Sequence, residues 1–370
     1  MSDTLNDDAH EAKELTPWLG FQRVPGIGPA RLGRLVELFG SVASAWAAPT
    51  DDLRAVGVSD EMIRAIDRVR NTLDIEAELG RMRRAGVRAI PLNSDEYPRL
   101  LRHVTSSPPL LFTRGQLAPE DDVAVAIVGT RRSSSYGIHM TTMLASGLAA
   151  AGVTIVSGLA HGVDTAAHRA ALEAGGRTVA VFGSGPDVIY PAQNKDLARR
   201  IIQSGAVVSE HPVGVKPDAR NFPARNRIIS GMSRGVLVVE APTQSGAMLT
   251  ASFAADQGRD VFAVPGQATS DKSAGCHALI RNGATLVTNV EQILEQLDLA
   301  SAKTQRQTRM VLPETPNQRI LYAVLSTEPQ HVDDICHTSA LPIHEVSGTL
   351  LEMELKGLIR QTAPQHYVRA

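Results

Sequence analysis

Short, nearly continuous apolar runs recur along the chain from Asp122 onward. Ala-rich stretches with a helical period, such as IHMTTMLASGLAAAG and TAAHRAALEAGG, separate most of them. Apolar runs that alternate with helices are typical of parallel strands buried on both faces. The pattern therefore predicts a doubly wound α/β domain with a mainly parallel sheet. Its strands are expected within residues 123–130, 153–160, 178–185, 206–210, 235–241, 260–266 and 284–287.

The flanking segments have different patterns. Residues 1–14 are polar and predict a disordered tail, and residues 15–79 contain short helices broken by Gly and Pro. The α/β domain is expected over 80–298, with its core at 122–290. Residues 299–316 are polar, contain two prolines and predict a linker. Three helical patterns and a short hairpin follow in 317–370, which is the outline of a winged-helix domain.

Composition limits the classes of function. With 43% hydrophobic and 21% charged residues, the chain is typical of a soluble globular protein. The net charge of −2 means that any nucleic-acid role must depend on a local basic patch. The N-terminus lacks the apolar segment of a signal peptide, and no apolar run is long enough to span a membrane. We therefore expect a cytoplasmic protein without a membrane partner.

The sequence predicts neither a metal site nor a cofactor. Cys276 and Cys336 lie far apart and lack the spacing of a zinc site. Neither the G-x-G-x-x-G pattern of a dinucleotide site nor the Walker pattern of a P-loop follows any predicted strand. The histidines of SGLAHGVDTAAH, His161 and His168, flank Asp164, whose position suits a helix N-cap better than catalysis.

Small and hydroxyl residues follow nearly every predicted strand, where the ligand crevice of an open α/β sheet lies. The first turn, GTRRSSSYG, combines backbone amides, hydroxyls and a guanidinium, and it predicts a phosphate-binding site. The candidate residues in this turn are Gly129, Thr130, Arg131, Ser133, Ser135, Tyr136 and Gly137. Ser157 and Gly158 follow the second strand, and Ser245 and Gly246 begin a later helix on the same rim.

The segment NFPARNRIISG supplies a further group of polar side chains. Within residues 216–234 there are five basic residues against Asp218 alone. Phe222, Arg225, Asn226 and Arg227 directly precede an apolar helix start. We expect Arg225 and Arg227 to form one wall of a phosphate pocket whose other walls are the turns at Arg131, Gly158 and Ser245.

The two flanking domains carry weaker signals. VPGIGPARLGRLVELFG is similar to a helix-hairpin-helix (SAM-like) turn, in which Gly26 and Gly28 would offer amides to a DNA phosphate as a secondary contact. The third helix of the C-terminal domain carries Glu345, Glu352 and Glu354 against Lys356 alone. A helix that reads a DNA groove is expected to be basic or neutral, so a partner-binding or structural role is favoured there.

Eight ordered motifs resemble the DNA-processing protein A family (DprA, also called Smf) over about residues 97–290. They are VAIVGTRRSSSYG, VSGLAHGVDTAAH, IYPAQNKDLA, SEHPVGVKP, NFPARNRIISGMS, VLVVEAPTQSGAMLTA, GRDVFAVPG and GCHALIRNGA. The resemblance implies an extended Rossmann-like domain that binds single-stranded DNA, with the Arg131 turn and the Phe222–Arg227 segment as the pocket. It also implies a homodimer and the loading of RecA recombinase onto DNA taken up in natural transformation. The RecA and dimer surfaces carry no motif.

The alternative is a nucleotide-processing enzyme, such as a nucleoside-monophosphate phosphoribohydrolase of a related Rossmann-like group. Such enzymes use a glutamate in a Gly-rich turn. Glu240 in VVEAPTQSGAMLT would supply the carboxylate, but the dense glycine run is missing. We therefore predict a binding protein without catalytic residues.

Overall fold

The computed structural model describes residues 2–299, 315–326, 329–339, 341–355, 358–363 and 365–369. It divides into two compact units, Met1–Ile293 and Leu294–Ala370. Residues 300–314, most of the predicted linker, lie outside the described residues.

Six helices begin the first unit: α1 (Ser2–Arg23), α2 (Pro29–Phe39), α3 (Val42–Ala47), α4 (Thr50–Ala55), α5 (Asp60–Thr72) and α6 (Ile75–Ala85). Ser59 and Asp74 cap α5 and α6 by accepting backbone N–H groups. The prediction of a disordered tail over 1–14 differs from the structure, in which α1 begins at Ser2. Burial of Ala12 in the helical core shows why the helix extends into this polar segment.

The sheet of the first unit has nine strands: β1 (Arg88–Pro91), β2 (Leu110–Gly115), β3 (Ala124–Val128), β4 (Thr154–Ser157), β5 (Thr178–Phe182), β6 (Ala206–Ser209), β7 (Gly235–Val238), β8 (Asp260–Ala263) and β9 (Thr285–Leu286). Their order is β1-β2-β6-β5-β4-β3-β7-β8-β9. The seven strands from β3 onward pair in parallel and coincide with the seven predicted runs. This confirms the predicted fold class.

Strands β1 and β2 were not predicted. They add an antiparallel edge through pairing of β2 with β6. Pro91 lies within edge strand β1, where a missing N–H group is tolerated. Phe112 of β2 belongs to the same hydrophobic core as Leu19 and Leu53 of the helices, so the N-terminal helices pack on this edge.

Eight helices complete the α/β domain: α7 (Arg99–Arg102), α8 (Ser135–Ala150), α9 (Val163–Glu173), α10 (Lys195–Ser204), α11 (Asn221–Gly231), α12 (Gly246–Asp256), α13 (Asp271–Arg281) and α14 (Val290–Gln296). Alternate residues of β3 share a core cluster with α11 and α12. The intervening Val125 and Ile127 are equally buried, so the sheet is covered on both faces. Strand β3 pairs with β4 on one side and β7 on the other, which makes it the topological switch point.

The second unit has the predicted winged-helix outline. It contains α15 (Pro316–Val324), β10 (Gln330–His331), α16 (Val332–Ser339), α17 (Ile343–Leu355), β11 (Ile359–Ala363) and β12 (His366–Arg369), with strand order β10-β12-β11. Thr315 and Gln318 form a capping box at the start of α15. Leu321, Ile335 and Leu350 meet in its core.

No helix in the described part of the chain is both long enough and apolar enough to cross a membrane.

Candidate nucleic-acid interface

A cleft of about 690 Å³ lies beyond the carboxyl ends of β3 and β7, at the switch point of the sheet. We call it the switch-point cleft. Eight of the predicted site residues line it: Gly129, Thr130, Arg131, Phe222, Arg225, Asn226, Ser245 and Gly246. Residues separated by more than a hundred positions in the sequence therefore meet at one rim.

The turn after β3 is held in place by Glu240. Both carboxylate oxygens accept hydrogen bonds from Ser134, one from its backbone N–H (2.9 Å) and one from its hydroxyl (2.5 Å). The backbone carbonyl of Glu240 accepts from the N–H of Thr130 (2.6 Å). A side chain at Gly137 would overlap this carboxylate, since an added Cβ would lie 2.2 Å from its nearer oxygen. Glycine at 137 thus lets α8 begin against Glu240.

This arrangement bears on the enzyme alternative. Glu240 is only 3% exposed, and both its oxygens are occupied by Ser134. A general base or nucleophile must reach the substrate directly or through one water. The geometry therefore favours a structural role for Glu240 over catalysis.

An exposed guanidinium and two aromatic rings form one side of the switch-point cleft. The Cζ atom of Arg131 lies 5.9 Å from the centroid of the Phe222 ring. The Phe222 ring is tilted against that of Tyr190, with 5.6 Å between centroids. Among the described residues, no carboxylate forms an ion pair with Arg131. Arg131, Phe222 and Tyr190 thus place a cation without an ion-pair partner beside two aromatic faces. Cations attract the phosphates of single-stranded nucleic acids, and aromatic faces stack on their bases.

The sequence interpretation missed Tyr190, which is 49% exposed at the mouth of the cleft. The signal was present in the motif IYPAQNKDLA, which follows β5 on the same rim as the other turns. An aromatic residue just beyond a strand end indicates a ligand site as well as the glycines and serines at the other strand ends do.

Arg225 lies at the floor of the cleft and is only 4% exposed. Its Nη1 donates to the carbonyl of Gly158 (2.9 Å) and to that of Val181. Gly158 leaves the room for this, because an added Cβ would lie 2.3 Å from Nη1. Burial lowers the pKa of Arg225 to about 10, so the group remains charged at neutral pH. Arg225 contributes a fixed positive charge beneath the cleft rather than an exposed wall.

The carboxylate of Asp164 opposes this buried charge. It accepts hydrogen bonds from the N–H groups of Gly158 (3.1 Å) and Ala160 (3.3 Å). Burial raises the pKa of Asp164, while the charge of Arg225 acts in the opposite direction. The N-cap position of α9 is Gly162, so the prediction that Asp164 is the N-cap was wrong. Asp164 instead holds the turn that precedes the helix.

The N-terminus of α12 forms the opposite side of the cleft. Asn226 donates through Nδ2 to the carbonyl of Gly246 (3.1 Å), which ties α11 to this helix start. Ser245 is the N-cap residue, yet its shielded hydroxyl has no hydrogen-bond partner in the described structure. The N–H groups at the start of a helix favour an anion. This side of the cleft and Arg131 would therefore attract the same negatively charged group.

The structure does not place Arg227 in the cleft. Its guanidinium forms a two-point ion pair with Glu210, at 2.7 and 3.0 Å, and donates to the carbonyl of Ser106 (3.1 Å). Two residues along a helix turn a side chain about 200° around its axis, so Arg225 and Arg227 point in nearly opposite directions. Ile228 and Ile229, which follow, are buried in the core and anchor α11 as expected.

Four other predicted residues support the rim without lining the cleft. Ser157 is buried and donates to the carbonyl of Ile127 (2.6 Å), and the hydroxyl of Tyr136 donates to that of Pro265 (2.6 Å). Ser133 donates to the carbonyl of Thr130 (3.2 Å), and Ser135 is exposed in the first turn of α8.

The secondary DNA contact in the helical domain was predicted at the turn between α1 and α2. Gly26 adopts φ +84°, in the left-handed region that favours glycine. Gly28 immediately precedes α2 and is exposed, with no atom within 4 Å of an added Cβ.

In the winged-helix unit, the glutamates of α17 bond within the unit. Glu345 accepts from Asn317 (2.9 Å), Glu352 from Gln318 (3.2 Å) and Glu354 from the N–H of Gln361 (3.1 Å). Lys356 lies outside the described residues. The acidic residues of this helix thus have structural partners, as the sequence interpretation favoured.

His161 and His168 form no metal site. His161 is exposed, whereas His168 is fully buried with Nδ1 2.7 Å from the hydroxyl of Thr178. No cluster of three metal-ligating side chains occurs among the described residues. Burial, together with the charge of Arg225, lowers the pKa of His168 to about 3.

His168 should make the protein sensitive to acid. The unfolded chain takes up a proton near pH 6.5, whereas the folded protein does so only near pH 3. Stability from this residue is therefore complete above pH 6.5 and falls as the pH drops, by about 2 kcal/mol at pH 5. In urea unfolding, the free energy of unfolding of His168→Gln should fall between pH 7.5 and pH 5 by about 2 kcal/mol less than that of the native protein. The exposed-site variant His161→Gln should keep the native pH dependence, and an unchanged slope for His168→Gln would contradict the assignment.

Comparisons with known proteins agree with this architecture. The family model for DNA recombination-mediator protein A matches residues 88–298, and that for the DprA winged helix domain matches residues 301–363. The chain is 36% identical to Protein Smf of Synechocystis, across 95% of this chain and 98% of the relative. It is 41% identical to Protein Smf of Escherichia coli, across 80% of each chain.

Solved structures give the same result. The X-ray structure of DNA processing protein A from Streptococcus pneumoniae superposes with a TM-score of 0.68 at 35% identity, covering 77% of this chain and 97% of that one. DNA processing protein A from Helicobacter pylori superposes with a TM-score of 0.52 at 30% identity, covering 57% of this chain and 95% of that one. With the matching motifs gathered around one switch-point cleft, these similarities show that the chain belongs to the DNA recombination-mediator protein A (DprA/Smf) family.

Proposed function

We propose that this protein binds single-stranded DNA in the switch-point cleft and acts by binding rather than by catalysis. The observation that carries the proposal is the free guanidinium of Arg131 above the Phe222 ring, with Tyr190 beside it. Together they offer phosphate attraction and base stacking within one cleft, without the donor pattern of base-specific readout. The Helicobacter pylori relative, whose single-stranded DNA binding mode has been described, supports the same ligand here.

The biological role that fits this ligand is recombination mediation in natural transformation. In this proposal the protein holds incoming single-stranded DNA and loads RecA recombinase onto it. Family membership supports the role, and a homodimer would raise the apparent affinity for a long strand by avidity. Gly26 and Gly28 would add a secondary backbone contact from the helical domain.

The test of the cleft assignment is Arg131→Ala. Because Arg131 is exposed and forms no ion pair in the described structure, the substitution should leave the fold intact. We expect about tenfold weaker binding of single-stranded DNA of any sequence, and a salt slope smaller by about 0.7 for one lost phosphate contact. Fluorescence anisotropy at several salt concentrations would measure both quantities.

The matched control is Arg169→Ala, which removes an exposed arginine of α9 that does not line the cleft. It should retain the native affinity and slope. Equal effects of the two substitutions, or no effect of Arg131→Ala, would refute the assignment of the cleft.

A further inference from the structure

The side chains that line the switch-point cleft carry more positive charge than one phosphate inside a DNA strand would neutralise. The charged ones are Arg131, Arg132, Arg225 and Asp164, three positive charges against one negative, which gives a net charge of +2. The start of α12 adds about half a positive charge on the opposite side. In the described part of the chain, no carboxylate forms an ion pair with Arg131 or Arg132.

The charges of Arg131 and Arg225 act on each other. Burial is the main cause that lowers the pKa of Arg225 to about 10, the carboxylate of Asp164 opposes it, and the charge of Arg131 contributes to the lowering. An anion bound near both guanidiniums would offset their repulsion. Because two cations meet at one cleft, an anion with more than one negative charge is favoured there.

Ser245 points to the same kind of ligand. It lines the cleft as the N-cap residue of α12, and its shielded hydroxyl has no hydrogen-bond partner in the described structure. A polar group without a partner costs free energy, which a bound acceptor would recover. A phosphate oxygen is such an acceptor, and the N–H groups at the start of the helix attract the same group.

The cleft is closed at its floor. Arg225, Ile229, Ala247 and Thr250 line it and are buried, whereas Tyr190 is exposed at the mouth. With a volume of about 690 Å³, the cleft has the size of a site for one small ligand, such as a single nucleotide. A phosphate inside a strand would require the strand to enter and leave through the same mouth. A terminal phosphate requires only one passage.

We propose that the switch-point cleft binds a nucleotide whose phosphate is a monoester, as at the phosphorylated end of a DNA strand or in a free nucleotide. A phosphomonoester carries nearly two negative charges at neutral pH, because its second pKa is about 6, whereas a diester within a strand carries one. The dianion thus matches the net charge of the cleft. The phosphate lies at the floor, and the base stacks on Phe222 and Tyr190. For a strand end, the inference rests on the proposed function.

Competition against a labelled oligo-dT strand, measured by fluorescence anisotropy, tests this preference. The competitors are short unlabelled oligo-dT strands of equal length with hydroxyl groups at both ends, a phosphate at the 5′ end or a phosphate at the 3′ end. We expect a strand with a phosphate at one of its ends to compete about tenfold more strongly than the hydroxyl strand, since hydrogen bonds to charged groups are the strong ones. Equal competition by all three strands would overturn the proposal.

Two further strands separate the second negative charge from the mere presence of another phosphate. A terminal methyl phosphate is a diester with one negative charge, and a circular oligo-dT strand has no end. Both should compete only as strongly as the hydroxyl strand. Competition by the methyl phosphate strand equal to that by the phosphorylated strand would contradict the need for a dianion and overturn the proposal.

Thymidine monophosphate distinguishes the two sources of a phosphomonoester. Competition as strong as that of the phosphorylated strand would identify a free nucleotide as the ligand. Much weaker competition would identify the strand end, because a strand makes further contacts outside the cleft.

Variants show whether the preference arises in the cleft. Arg131→Ala and Ser245→Ala should each lower the ratio of the affinities for the phosphorylated and hydroxyl strands, whereas Arg169→Ala, outside the cleft, should retain the native ratio. A ratio unchanged in both cleft variants would also overturn the proposal. Binding of all strands without a preference refutes only this inference, whereas failure of every strand to bind refutes the proposed function.

Discussion

Replacing Phe222 with alanine is expected to weaken single-stranded DNA binding by roughly 5- to 150-fold, since stacking on one aromatic ring contributes about 1–3 kcal/mol per base. The ring contacts both Tyr190 and Arg131, so its removal also takes away the surface on which Arg131 lies. Fluorescence anisotropy with an oligo-dT strand would measure the loss. Phe222→Tyr should bind nearly as the native protein does, and Phe222→Leu should lose most of the stacking while keeping an apolar side chain.

An abasic strand provides the decisive control for Phe222. Without bases there is nothing to stack, so the loss of affinity caused by Phe222→Ala should be much smaller on this strand and limited to the support that the ring gives Arg131. Arg131→Ala should remain impaired on the abasic strand, because phosphates are still present. An equal loss for Phe222→Ala on both strands would show that the ring acts through the fold rather than on a base.

Arg225→Met is expected to destabilise the protein by about 1–3 kcal/mol, because the buried carbonyls of Gly158 and Val181 lose the donor that satisfies them. The substitution leaves Asp164 buried without its opposing charge and the carbonyl of Gly158 without its donor. Urea unfolding at pH 7 would measure the loss. Gly158→Ala should also be destabilising, because its Cβ would occupy the space of the guanidinium.

A double-mutant cycle distinguishes the charge from simple packing. Asp164→Asn removes the carboxylate charge and keeps an oxygen for the backbone N–H groups, so Arg225→Met with Asp164→Asn should recover part of the stability. Arg131→Met, at an exposed position, should change stability by less than about 0.5 kcal/mol. Strict additivity of Arg225→Met and Asp164→Asn would contradict a coupled pair.

The seven parallel strands could be predicted because strands buried on both faces are apolar at nearly every position. Strands β1 and β2 could not, since prolines lie in or beside them and they pair antiparallel at an edge of the sheet. The same limit applies to the start of α1, where a polar segment becomes helical because part of it packs in the core. The local hydrophobic pattern predicts an element whose residues are buried along its whole length. It does not predict an element that forms because one part of it packs against a distant segment of the chain.

The sequence by itself determined which turns lie around the switch-point cleft, because strand ends and the residues after them are adjacent in the chain. It could not distinguish the roles of Arg225 and Arg227, two residues apart. Only the tertiary structure decided that Arg225 enters the space left by Gly158, whereas Arg227 pairs with Glu210 outside the cleft. The tertiary structure likewise brought Tyr190 against Phe222. A side chain's direction and its neighbours depend on helix phase and on contacts between distant segments, and neither is encoded in local composition.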